Sequence, residues 1–178
     1  MHTTLDRDSQ NMHGSYSSSG AVQERMYLKM KEVEGDIWEM EGLKCILTNC
    51  LVREGRLIMG AGIAKECKDR YPEIDKSWGF LVHKYGACTI FEKRSKLVIF
   101  PTKINPSEMS SLALIKSSAL RLRSLWETGA LDEYETILLP RPGCGLGGLD
   151  WNTQVKPALE PLLEDMPVVI VRRKGEPL

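Results

Sequence analysis

The stretch from Thr136 to Val171 constrains the fold most. Thr136 to Leu139 is a short apolar run with strand character, and Val168 to Val171 is another. Between them lies a loop from Gly143 to Gly148, with glycine at 143, 145, 147 and 148. Asp150 follows as a helix N-cap, ahead of Val155, Leu159, Leu162 and Leu163 at helical spacing. Pro157 and Pro161 fall inside that pattern, so a kinked or late-starting helix is expected. Strand, glycine-rich loop, helix and strand in this order belong to an α/β sheet.

The upstream sequence continues the alternation. Met26, Leu28 and Met30 interleave with polar residues as a first strand does, and Lys44 to Thr48 reads as a second. Ile63, Cys67 and Tyr71 share one face of a helix starting near Gly62. Ile74, Trp78, Leu81, Val82 and Tyr85 mark another, with Pro72 suited to its first turn. Cys88 to Glu92 and Lys96 to Phe100 read as strands joined by a charged turn. Leu112, Ile115, Ala119, Leu122 and Trp126 recur every three or four residues until Gly129 stops the helix. The expected fold class is α/β, a three-layer α/β/α domain whose ligands bind beyond the carboxyl ends of the strands.

Composition narrows the function. Lys plus Arg number 24 and Asp plus Glu number 24, so 178 residues carry no formal net charge. That is unlike a polybasic nucleic-acid module. Arg121, Arg123, Arg172, Arg173 and Lys174 could meet in a patch, but solvated helix faces are the stronger reading. No apolar run is long enough to span a membrane, and no secretory signal opens the chain. The five cysteines and three histidines show no zinc-ligand spacing, so reduced thiols in a cytoplasmic setting are expected, with no metal and no cofactor. Residues 1–22 are serine-rich and read as a disordered tail, leaving 23–178 as one domain. A monomer is the default expectation.

Four segments could carry chemistry. Gly35-Asp36-Ile37 follows the first strand; Asp36 could accept from an exocyclic amine or simply cap a turn. Asn49 ends the second strand, and Met59-Gly60-Ala61-Gly62-Ile63-Ala64 follows. Its glycines let backbone N–H groups approach a ligand, with a helix N-terminus behind them. Thr102-Lys103 comes directly after an apolar strand. That puts a lysine at the carboxyl edge of the sheet, although most such lysines are merely solvated. Gly143-Cys144-Gly145-Leu146-Gly147-Gly148 is a phosphate-cradle sequence. It matches G-x-G-x-x-G, but only one strand follows, so a dinucleotide-binding unit is not expected. No P-loop is present. Cys144 reads as a packed residue rather than a nucleophile, and Trp151 as a wall of the last helix.

Taken together, these residues resemble the macro domain, an ADP-ribose-binding α/β/α module with a mixed central sheet. The resemblance runs from about Leu28 to Val171. It implies adenine contact by Asp36 and Ile37. It implies that Asn49 faces the distal ribose, and that Met59, Gly60, Ala61, Gly62 and Ile63 form a first substrate loop. Thr102 joins the ligand-binding set, and Gly143, Cys144, Gly145, Leu146, Gly147 and Gly148 wrap the diphosphate and distal ribose. The order M-G-x-G-I-A, a lysine after the central strand, and G-C-G-x-x-x-L-x-W is similar to one branch of the family. That branch includes the terminal ADP-ribose protein glycohydrolase of vertebrates and the bacterial antitoxin that removes ADP-ribose from thymidine in DNA.

The resemblance implies a catalytic role for Lys103, adding to the opened distal ribose. The vertebrate enzyme's assisting aspartate corresponds to Gly147, so that pair does not transfer intact. Gly147-Gly148-Leu149 instead resembles the DNA-acting antitoxin. Two departures stand out. The sequence ends at Leu178 without the antitoxin's further domain, and Val52 to Ile58 is long for the branch, as a lid or ribose wall would be. The implied partner is ADP-ribose or an ADP-ribosylated macromolecule, DNA or protein, and the implied activity is its hydrolytic removal. The alternatives are a non-catalytic ADP-ribose reader and an ADP-ribose 1″-phosphate phosphatase.

Overall fold

The computed structural model describes residues 30–178; the expected tail and the residues 26–29 of the expected first strand lie outside the described residues. The described residues form eight strands: β1 (Lys31–Glu34), β2 (Leu43–Thr48), β3 (Val52–Arg53), β4 (Arg56–Leu57), β5 (Ile90–Glu92), β6 (Leu97–Pro101), β7 (Ile137–Pro140) and β8 (Val168–Arg172). The helices are α1 (Gly62–Arg70), α2 (Ile74–Tyr85), α3 (Leu112–Glu127) and α4 (Lys156–Leu163). Six strands form one sheet in the order β1-β8-β7-β2-β6-β5, while β3 and β4 pair only with each other. All pairs in the large sheet are parallel except β5 with β6, so the sheet is mixed as expected.

The central strands are apolar on both faces because both are covered. Along β6, Val98 and Phe100 point to one layer while Leu97 and Ile99 point to the other. One layer packs α3 (Ile115, Ala119, Leu122) and α4 (Leu159, Leu163) on the sheet. The opposite layer packs α1 (Ile63, Cys67) and α2 (Ile74, Trp78, Val82). This is the three-layer α/β/α arrangement.

Several boundaries differ from the sequence reading. The first described strand is Lys31–Glu34. Pro72 is not in a first helical turn. The chain must reverse between α1 and α2, and it does so through Glu73 in the left-handed region, so α2 starts at Ile74. Cys88 precedes β5, which begins at Ile90. Of the two prolines near the end, Pro157 is accommodated by a late start, while Pro161 stays inside the last helix. Asp150 caps a π-helical segment, Trp151–Val155, and α4 begins at Lys156 with Pro157 in its first turn. There the missing proline N–H has no intrahelical partner to lose.

The segment 52–58 is a tight hairpin, β3–β4, turned at Glu54 and Gly55. It is docked rather than loose. Gly79 of α2 lies so close beneath it that a β-carbon there would sit 2.4 Å from the Gly55 carbonyl oxygen. Arg56 donates to the buried Asp75 carboxylate at 2.9 Å, and Lys68 joins it at 3.2 Å. Among the described residues no helix is long and apolar enough to cross a membrane.

Candidate functional site

Parallel strands deliver their carboxyl ends to one edge, and an open cleft of about 540 Å³ runs along that edge. Asn49 after β2, Thr102 and Lys103 after β6, and Arg141 after β7 line it. Gly60, Ala61, Gly62 and Ile63, leading into α1, form one wall. Gly143, Gly145, Leu146 and Gly147 form the other, and Ile37 lines the β1 end. The four segments singled out in the sequence therefore meet in one place.

Four of the expected contact residues do not line the cleft. Asp36 is exposed, and its Oδ1 accepts from the Trp38 N–H at 2.9 Å, capping the short 3-10 turn Ile37–Glu39. Met59 is buried in the core layer below α1. Cys144 is half-buried and its thiol points to the Pro142 carbonyl at 3.3 Å; burial is the main cause that pushes this thiol up to about 12. Gly148 is exposed, with positive φ at the loop's closing turn.

The wall at α1 is built to receive an anion. Ala61 supplies no side-chain cap, and the first i→i−4 bond of the helix is Lys65 N–H to Ala61 carbonyl at 3.2 Å. The N–H groups of Gly62, Ile63 and Ala64 are thus without intrahelical acceptors, and the positive end of the helix dipole adds to them. The opposite loop closes on itself through Gly148 to Gly145 (3.1 Å) and Leu149 to Gly143 (2.9 Å). Among the described residues the N–H groups of Gly145, Leu146 and Gly147 donate to no backbone carbonyl. Glycine at 147 is dictated by close approach: a β-carbon there would lie 2.2 Å from Ser110 Oγ and 2.6 Å from the Gly143 carbonyl oxygen.

Charge in the cleft is uneven. Arg141 is buried and ion-paired with Glu32, and Arg173 is paired with Glu66. Lys103 is half-buried, has no carboxylate partner among the described residues, and donates to the Glu108 carbonyl at 2.9 Å. Asn49 uses its amide to hold the neighbouring hairpin: Nδ2 donates to the Ile58 carbonyl and Oδ1 accepts from the Leu51 N–H. Trp151 is buried, donating to Glu32 at 3.2 Å beneath the Arg141 guanidinium, and so is a wall. Several of the basic residues considered for a patch are taken up by local partners. Arg172 pairs with Glu34, and Arg123 is spent on Glu127 and on the Leu162 and Glu164 carbonyls.

The cleft also contains residues with no local signature in the sequence. Thr48, Ser110 and Glu176 line it, and Thr48 Oγ1, Ser110 Oγ and Glu176 Oε2 are buried oxygens without a hydrogen-bond partner. Unspent polar atoms in a cleft are groups that a ligand can satisfy. Ser110 arrives through the loop that returns from β6 to α3, tied by its N–H to the Gly147 carbonyl at 2.9 Å.

A sheet of this order, with a glycine-rich wall on each side of its carboxyl edge, is that of a macro domain, and the chain has that fold. The macrodomain of Mycobacterium tuberculosis DarG superposes with a TM-score of 0.63 at 25% identity, over 80% of this chain and 96% of that one. Thermosipho africanus DarTG in complex with ADP-ribose gives 0.65 at 22% identity, over 85% and 44%. The Thermus aquaticus DarG macrodomain gives 0.64 at 22%, over 83% and 98%. A curated relative from Thermosipho africanus (strain H17ap60334), a DNA ADP-ribosyl transferase-DNA ADP-ribosyl glycohydrolase fusion protein, is 25% identical over 119 residues. That similarity covers 53% of this chain and spans 30% of the relative's length. No family model matches the sequence.

Proposed function

We propose that this chain binds ADP-ribose in the cleft and hydrolyses its bond to a modified macromolecule, with thymidine-linked ADP-ribose on DNA as substrate and Lys103 as the catalytic residue. The observation that carries the reading is the convergence of Lys103 with the α1 N-terminus and the Gly143–Gly147 wall on one cleft. A diphosphate fits between the unspent N–H groups of the two walls. In this reading the distal sugar lies at the β2 and β6 ends, beside Lys103. The relative named as a DNA ADP-ribosyl glycohydrolase and the neighbour solved with ADP-ribose support the ligand and the bond.

Glycoside cleavage ordinarily uses two carboxylates about 5–9.5 Å apart. Among the described residues the one carboxylate lining the cleft is Glu176, beyond β8, and β8 lies three strands from β6. At about 4.8 Å per strand, the two strands are roughly 14 Å apart, and the proposed chemistry rests on Lys103 rather than on a carboxylate pair. Its amine can add to C1 of the opened sugar and expel the linked nitrogen, which leaves protonated, and water then hydrolyses the imine to free ADP-ribose and lysine; alternatively its ammonium can hold charge on the departing group while water attacks C1. Arginine at 103 keeps the charge but cannot add, so Lys103→Arg separates the two roles.

The test pairs calorimetry with product analysis. ADP-ribose is titrated into the wild-type chain, which is then incubated with single-stranded DNA carrying ADP-ribosyl-thymidine and with glutamate-ADP-ribosylated protein. The expected result is binding, and release of ADP-ribose from DNA that Lys103→Ala abolishes while affinity stays within a few-fold. Unchanged turnover in that variant removes Lys103 from the mechanism. Binding with no release from either substrate leaves a reader, and release of inorganic phosphate from ADP-ribose 1″-phosphate makes the chain a phosphatase.

A further inference from the structure

A second concavity, of about 970 Å³, lies on the open edge of the sheet, away from the strand-end cleft. Its sides are α2 and α3 and its floor is β5, the edge strand. Two aromatic rings stand in it unburied: Phe80 is 63% exposed and Tyr85 55% exposed. Lys84 Nζ lies between them, 5.9 Å from the Phe80 ring and 5.1 Å from that of Tyr85.

The charge around these rings is one-sided. Lys76, Lys93, Arg94 and Arg121 line the groove, and with Lys84 make five cations that have no ion pair among the described residues. The two acids in the groove are already occupied. Glu73 pairs with Arg56 at 3.1 Å, and Glu92 accepts the N–H groups of Arg94 and Ser95 at 3.0 and 2.9 Å. On a chain of zero formal charge, this is a concentrated positive face with bare rings set in it.

One end of the groove lies on the side of the sheet where the strand-end cleft opens. β5 runs antiparallel to β6 with Ile90 opposite Ile99, so Cys88 and Thr89 sit at the end of β6 that leads to Lys103. Cys88 is also a neighbour of Cys50, next to Asn49; the Cys50 thiol is pushed up to about 11, by burial first and then by Cys88.

We infer that this groove is a track for a single nucleic-acid strand, its phosphates on the five cations and its bases stacked on Phe80 and Tyr85. The inference rests on the proposed DNA-linked substrate and adds the surface that presents it. Cations beside exposed aromatic faces are the chemistry of sequence-tolerant single-strand binding. A peptide added to the edge strand is the less favoured occupant, because β5 offers only three residues to pair with.

The test uses the full chain and an unmodified oligothymidylate of twelve nucleotides, followed by fluorescence anisotropy. The expected result is micromolar or weaker binding that falls with salt. With about 0.7 released counterion per neutralised phosphate on a single strand, five cations give a log–log slope of about −3.5. Phe80→Ala, and separately the pair Lys93→Glu and Arg94→Glu, should each weaken the oligonucleotide at least tenfold. Both should leave ADP-ribose affinity within twofold. Absence of binding by the wild type at 50 mM salt (roughly the low end at which such slopes are read) overturns the inference. So do variants that bind as the wild type does, or a polyglutamate peptide that competes as well as the oligonucleotide. Failure of ADP-ribose to bind the wild type is a separate readout and strikes the function reading itself.

Discussion

Gly79→Ala is a substitution whose sign is decided by one contact. In a helix interior, Gly→Ala ordinarily stabilises by about 0.8–1 kcal/mol, because alanine restricts the unfolded chain and favours helix. Gly79 sits within α2 and is buried. A β-carbon there would lie 2.4 Å from the Gly55 carbonyl oxygen and 2.9 Å from Arg56 Cα. Both are backbone atoms of the β3–β4 hairpin and cannot swing aside, so the hairpin must lift by roughly 1 Å to restore ordinary contact. Overpacking of this kind costs about 1–3 kcal/mol, more than the helix gain. A net loss of up to about 2 kcal/mol follows, and at about 2–4 °C per kcal/mol for a chain of this size the Tm should fall by up to about 8 °C. The hairpin's base also carries Ile58 and Asn49 of the cleft, so ADP-ribose affinity should fall with it. Differential scanning calorimetry with a parallel ligand titration measures both. A Tm that rises by a degree or more would show that the hairpin does not rest on Gly79 and would refute the docked-wall reading.

Arg141→Met removes a buried guanidinium from Glu32 and from the Trp151 face, leaving a part-buried carboxylate without its charge partner. The expected loss is about 3 kcal/mol, read by urea unfolding, with Glu32→Gln in the same chain recovering part of it. Asp75 gives a pH dependence. Burial alone would raise its carboxyl, but Lys68 and Arg56 outweigh that and hold it below the ordinary range. A lowered folded value stabilises the fold above the unfolded value of about 4 and loses that stability as pH falls through the folded one. Asp75→Asn should therefore flatten the acid limb of a Tm–pH curve below about pH 4, and an unchanged limb would remove Asp75 as its source.

The parts of this fold that are legible in the sequence are those with a local period or a local cap. The apolar alternation of β6, the helical stripe from Leu112 to Trp126 and the Asp150 cap are each fixed by neighbours within a few residues, and the chain folds them where they are read. The hairpin was not legible as such, since two-residue strands are too short to show a period. Its place is set by contacts with Gly79 and Asp75, some twenty residues on. Asp36 shows the limit for single residues. Its type suits a cap or a ligand equally, and the local turn takes Oδ1 for the cap.

The same division explains why the cleft was half visible. Its glycine-rich walls announce themselves because close backbone approach demands glycine in runs, as at 143 and 147. Its orphaned oxygens do not, because a threonine at a strand end, a serine before a helix and a glutamate beyond β8 are ordinary in sequence. They become site residues only when parallel strands bring their ends to one edge. Ser110 depends on this twice: it needs β6 and α3 to return it to the edge, and it needs glycine at 147 to leave room for its hydroxyl. The glycine that looked like the loss of a side chain in the loop is thus also the space that a residue from another loop occupies. The chemistry of this cleft is therefore to be judged from the strand ends together rather than from either glycine-rich segment alone.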